Sequence, residues 1–207
     1  MRAPDIPRLT SITDTPPTRS ESWVVAEVLI PFMNVNDGAV SFQLHSSPYY
    51  ILSREQYWER SGINEYDGAI KNTASLTVKT GITETSSRSM ENELKITIGA
   101  DASFSYGAAS VALKTEIQNT LKVSESTSQS KTFEEQKVIT ITVPDARCRV
   151  VTWVLVESFS LWRSDRRSMV GQASKAILDG SAISDIWSVK GPQPTQQSQL
   201  SNLAEGV

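Results

Sequence analysis

Residues 94–123 read LKITIGADASFSYGAASVALKTEIQNTLKV, and the reading of this stretch decides the fold. Up to Tyr106 the apolar residues take every second position: Leu94, Ile96, Ile98, Ala100, Ala102, Phe104, Tyr106. Lys95, Thr97, Gly99, Asp101, Ser103 and Ser105 fill the gaps, which is the period of a strand with one apolar and one wet face. At Gly107-Ala108 the parity flips, and Ala109, Val111, Leu113, Ile117, Leu121 and Val123 continue on odd positions. A two-residue turn explains the flip, with Gly107 supplying the positive φ that the first central position of a type II′ turn requires. Phe104 then faces Val111, Ile98 faces Ile117 and Leu94 faces Leu121, while Asp101 meets Lys114 on the wet face. The pattern predicts a long antiparallel hairpin, although Thr115 and Asn119 interrupt its apolar side.

Each arm of such a hairpin is about thirteen residues, against about five or six for an ordinary strand and roughly nine to eleven for a membrane-spanning one. Two architectures carry this alternation. One is a subunit's contribution to an oligomeric transmembrane barrel, and the other is a half-buried hairpin in a soluble sandwich.

Composition narrows the function classes. The 207 residues suffice for one cored domain, or one domain with a small second lobe. A net charge of −3 and a pI near 5.3 give no electrostatic attraction to nucleic acid. No basic cluster draws the chain to anionic lipid, so membrane action has to rest on apolar area and a receptor. The one cysteine, Cys148, excludes an intrachain disulfide and beside Val150 and Val151 reads as an inert buried thiol. His45, the one histidine, has no cysteine partner nearby and no metal-like spacing. Glu157, Asp165, Asp179 and Asp185 show no spacing that pairs an acid with a base, so no catalytic residue, cofactor or metal is expected. No apolar run approaches the eighteen or so residues of a membrane helix. The first residues, MRAPD, lack the apolar core of a secretory signal, so release without one is expected.

In chain order, residues 1–20 hold Pro4, Pro7, Pro16 and Pro17 without periodicity and read as a flexible arm with tryptic sites at Arg8 and Arg19. WVVAEVLIPF (23–32) is a strand whose Pro31 marks an edge or an exit, and 39–44 a second strand with Val40, Phe42 and Leu44 on one face. Tyr49, Tyr50, Tyr57, Trp58 and Tyr66 cluster either as a receptor or membrane docking patch or as a local core, with 53–60 open to a helical turn or two. Residues 71–92 and 122–143 are rich in Ser and Thr yet keep strand alternation, as in Leu76 and Val78 or Ile139, Ile141 and Val143. RCRVVTWVLVESFSLW (147–162) is apolar on both parities from Val150 to Val156 apart from Thr152, so it should be central and covered. Residues 168–178 and 182–189 suggest a hairpin about Asp179-Gly180, and 191–207 a disordered tail. The sum is an all-β chain of elongated, long antiparallel strands.

The order of Ser/Thr-rich strand, amphipathic hairpin, Ser/Thr-rich strand and Pro-terminated strand resembles the aerolysin-type β-pore-forming toxins, with their epsilon-toxin, mosquitocidal-toxin and insecticidal branches. The resemblance lies in TGITETSSRSMENELKITIGADASFSYG and SESTSQSKTFEEQKVITITVPDARCRVVTWVLVE, and covers about residues 71–162. It implies an aerolysin-like fold with a small β-rich head. Residues 21–70 and 163–190 would be the receptor-facing head, and 71–162 the pore module around hairpin 94–123. Members bind an unknown receptor on a target-cell membrane, join as a homo-oligomer of about seven subunits and extrude one hairpin each into a barrel. The resemblance then implies that Leu94, Ile96, Ile98, Phe104, Val111, Leu113, Ile117 and Leu121 face lipid, and that Lys95, Asp101, Lys114, Glu116 and Lys122 line the lumen. The competing function is a soluble β-sandwich binding or adhesion module whose hairpin never leaves the fold.

Overall fold

The computed structural model describes residues 5–37, 48–67, 73–84, 93, 94, 96, 107–121, 131–165, 169–172, 176–194 and 196–199. Among these the strands are β1 (Trp23–Pro31), β2 (Tyr49–Asp67), β3 (Thr73–Glu84), β4 (Lys131–Thr142), β5 (Arg147–Arg163), β6 (Met169–Gln172), β7 (Ala176–Ser188), β8 (Gly191–Pro192) and β9 (Gln196–Gln199). The α-helix α1 (Gly107–Leu121) lies between β3 and β4, and Glu93 and Leu94, ahead of it, are helical too.

The strand without a polar face is the one around which the rest pairs. β5 is buried without a break from Val150 to Leu161. It pairs antiparallel with β2 from Tyr50↔Arg163 to Asp67↔Arg147, and on its other side with β7. The main sheet runs β1-β2-β5-β7-β8, with β6 on β5 and β9 on β7, while β3 and β4 form a separate two-stranded ladder. β1 ends at Pro31 and pairs with β2 alone among the described strands, as a strand closed by proline should at a sheet edge.

Register assigns the faces. One face of the sheet aligns Leu52, Arg54, Gln56 and Trp58 with Leu161, Phe159, Glu157 and Leu155. Leu52, Phe159 and Leu161 belong to one apolar cluster, which α1 covers. Trp58, Leu155, Val151 and Trp153 belong to another, which Ile6 and Leu9 cover. Between them Glu157 accepts hydrogen bonds from Arg54 Nε (2.6 Å) and Gln56 Nε2 (3.1 Å), so a paired charge separates the two clusters. The opposite face buries Tyr57, Val154, Val156 and Ile186 with Ile141 and Val143 of β4 and its exit.

Several expectations are corrected. The arm is packed: Leu9 N–H donates to Asp185 (2.8 Å), Arg60 Nη1 to Pro16 O and Arg149 Nη1 to Asp14 O. Apolar Ile6 and Leu9 over Trp58 outweigh the arm's proline content. Asp14 takes the amides and hydroxyls of Thr10 and Ser11, which hold its carboxyl below the usual carboxylate range. Residues 53–60 are strand, not helix, within a nineteen-residue β2. Asp179-Gly180 sits inside β7, where the register with β5 slips between Val154↔Ala182 and Val156↔Ile177, rather than at a hairpin turn. The expected disordered tail begins with β8 and β9 paired to β7, turning at Gly191 with φ of 110°. Residues 39–44 and His45 lie outside the described residues.

Candidate functional site

The Ser/Thr-rich segments pair with each other in unbroken register from Thr73↔Thr142 to Glu84↔Lys131. Thr73, Ser75 and Thr83 meet Thr142, Thr140 and Thr132, and of these Ser75, Thr140 and Thr142 are exposed. Val138 is 65% exposed, whereas Ile141 and Val143 at the foot are buried. The ladder lies alongside β7. At its foot the Gln196 side chain accepts from Thr142 N–H (3.1 Å) and donates to Thr142 O (3.3 Å), copying the two bonds of a neighbouring strand.

The chain between β3 and β4 returns to the main sheet at two stations. Leu94 and Ile96 are buried in the cluster of Val28, Ile30, Tyr50, Leu52 and Leu161, and Ile96 forms an antiparallel bridge with Val35. Further on, α1 buries Leu113, Ile117 and Leu121 in the same cluster. This corrects the strand expected over 109–123, of which 109–121 is helix, and the turn at Gly107-Ala108: Gly107 opens a helix, and Ala108 and Val111 lie within it, while Leu94, expected to start the first strand, is helical with Glu93. Spacing explains the error. Leu113, Ile117 and Leu121 repeat every fourth residue, which shares one side of a strand and one side of a helix alike. The discriminating residues are Thr115 and Asn119, polar where a strand needs apolar side chains and exposed in the helix. Ala108, Ala109 and Ala112 add helix propensity.

Other sequence-derived residues fall as follows. Lys114 is half-buried and Glu116 exposed on α1, while Lys95, Ile98, Asp101, Phe104 and Lys122 lie outside the described residues. The aromatic cluster divides: Tyr50, Tyr57 and Trp58 are buried, Tyr66 is half-buried, and Tyr49 remains exposed at 45%. A docking patch of five is corrected accordingly, because three rings carry core packing. Glu157 and Asp185 hold Arg54 and the arm backbone, so their carboxylates serve the fold. Burial raises the pKa of the Cys148 thiol, and of the Tyr66 phenol opposite it. Among the described residues no acidic, Cys or His group gathers to hold a metal, and no helix is long and apolar enough to cross a membrane.

The curled, strand-rich architecture of long antiparallel strands defines an elongated aerolysin-like β fold. A solved structure of Cry35Ab1 shares it, with a TM-score of 0.56 and 21% identity over 92% of this chain and 51% of that one. Residues 23–178 match the family described as insecticidal crystal toxin, P42, and the chain belongs to it. Two sequences of the binary larvicide subunit BinA from Lysinibacillus sphaericus are each 29% identical over 171 residues, which is 78% of this chain and 44% of theirs. The chain thus spans about half the length of the relatives it matches.

Proposed function

We propose that this chain is the pore-forming part of an insecticidal toxin, which binds a receptor on a target-cell membrane, oligomerises and contributes two strands per subunit to a transmembrane β-barrel. The inserting element is the segment between β3 and β4. Its stored form holds α1 on the main sheet, and its inserted form is the hairpin that the alternation of 94–123 describes. A single observation carries the reading: a helix whose flanking sequence has strand periodicity lies between two strands already paired in register. Extending that ladder through the segment keeps the β3–β4 register and adds residues on the same two parities. Family membership and the aerolysin-like fold support the pore class.

In the inserted form Leu94, Ile96, Ile98, Phe104, Val111, Leu113, Ile117 and Leu121 face lipid, and Lys95, Asp101, Lys114, Glu116 and Lys122 face water. Closure into a ring satisfies every strand edge, the condition for strands to survive in hydrocarbon. The pore module expected over 71–162 is narrowed in this reading to 71–142, because β5 is paired between β2 and β7, and within the head expected over 21–70 and 163–190 the exposed Tyr49 end of the main sheet is taken as receptor-facing. Calcein-loaded vesicles prepared from insect-cell membranes test it. Leakage with discrete single-channel steps is expected, and saturable binding without leakage would instead make the chain a soluble adhesion module.

A further inference from the structure

At the first station backbone lies against backbone. A Cβ built on Gly171 of β6 would lie 3.3 Å from the carbonyl oxygen of Glu93 and 3.4 Å from the Cα of Leu94. Ile96 in turn pairs with Val35, just past the short helical turn Phe32–Asn34 that follows β1. Leu94 is fully buried and Ile96 is 3% exposed, so Glu93, Leu94 and Ile96 are gripped by contacts with β6 and with the residues that follow β1. β6 is itself a four-residue strand pairing with β5 through Ser160, Leu161 and Trp162, with a register slip between the last two. A short, slipped strand carrying the glycine is the weakest-held wall of this grip.

We propose that Gly171 and Val35 form a seat that holds the start of the inserting segment in its stored position, and that opening this seat controls release of the segment. The inference rests on the pore reading above and adds its regulation. Glycine suits this position because a Cβ would press on the segment's main chain, which would have to give by a few tenths of an ångström. The seat holds by two buried side chains and one bridge, so its opening is a local event that leaves β5 and its neighbours paired.

Two variants test it. Gly171→Val places a branched side chain against the Glu93 carbonyl, with Gly171→Ala as the smaller intrusion should the first fail to fold. Either should raise amide exchange at Leu94 and Ile96 by about tenfold or more, leave β5 exchange unchanged, and shorten the lag before calcein leakage from insect-cell membrane vesicles. Conversely, Val35→Cys with Ile96→Cys, in a Cys148→Ala background, staples the seat. Directly opposed antiparallel partners stand about 4.5–5.5 Å apart at Cα, within disulfide reach. The oxidised staple should abolish leakage and reduction restore it. Unchanged exchange in the glycine variants, or equal leakage from oxidised and reduced staples, overturns the proposal. Faster exchange with no leakage from the parent or any variant overturns the pore reading instead, leaving the seat as a packing contact.

Discussion

β5 and α1 both draw on stretches rich in Val, Leu and Ala or Trp, yet one is fixed and the other is held on one side only. In β5 the apolar residues occupy both parities, and both faces are covered. In α1 three anchors enter the core while Ala112, Thr115, Glu116, Asn119 and Thr120 stay exposed. A segment satisfied on one side by residues four apart keeps a second solution available, because that spacing also fits a strand. In the proposed mechanism, storage and insertion therefore use the same three side chains.

The sharpest way to break the comparison is to empty both sites. Trp153→Ala removes a fully buried ring from the β5 side and should cost about 3–5 kcal/mol, read as a large fall in the denaturation midpoint. Ile117→Ala removes a side chain that is 1% exposed and should cost about 2–3 kcal/mol, the low end for such a deletion. Its loss should appear as faster exchange in α1 without a matching loss in β5, since the helix can undock alone. Equal global destabilisation by both variants would show that α1 is anchored as firmly as the central strand.

Smaller changes sharpen the same contrast. Thr115→Ala with Asn119→Ala improves helix propensity on the exposed side, by about 0.5 kcal/mol per site, and should raise helicity while slowing leakage. Thr115→Val with Asn119→Val completes the apolar parity of a strand and should speed it. Glu116→Lys leaves the stored fold intact, because Glu116 is exposed, and should shift the pore toward anions in planar-bilayer reversal potentials. pH touches the fixed region. Burial raises the pKa of Cys148, so the folded thiol keeps its proton where the unfolded one has lost it. Stability is therefore unaffected below the ordinary thiol range and declines as pH climbs past it, most clearly in thermal melts.

The same distinction explains what the sequence disclosed. β5 was legible because Val150 to Val156 leaves no polar face, and the β3–β4 ladder because its alternation survives its Ser and Thr content. The helix was hidden by the coincidence of fourfold spacing with strand parity, and the local signals against a strand were Thr115 and Asn119 and the helix-favouring Ala108, Ala109 and Ala112. The packed arm was illegible for another reason. Pro4, Pro7, Pro16 and Pro17 suggest a loose chain, while what fixes it is tertiary: Asp185, Arg60 and Arg149 reaching its backbone from distant strands. Gly171 carried no mark at all, since its role depends on which main chain happens to pass it.

The central claim is that 107–121 exchanges helix for strand at the membrane. Single cysteines placed in turn from Leu113 to Gln118, in a Cys148→Ala background, and labelled with an environment-sensitive fluorophore test it on insect-cell membrane vesicles. An emission pattern alternating with period two, apolar at 113, 115 and 117 and aqueous at 114, 116 and 118, is the predicted result. A pattern repeating every three to four residues, or no change from the protein in solution, would contradict it.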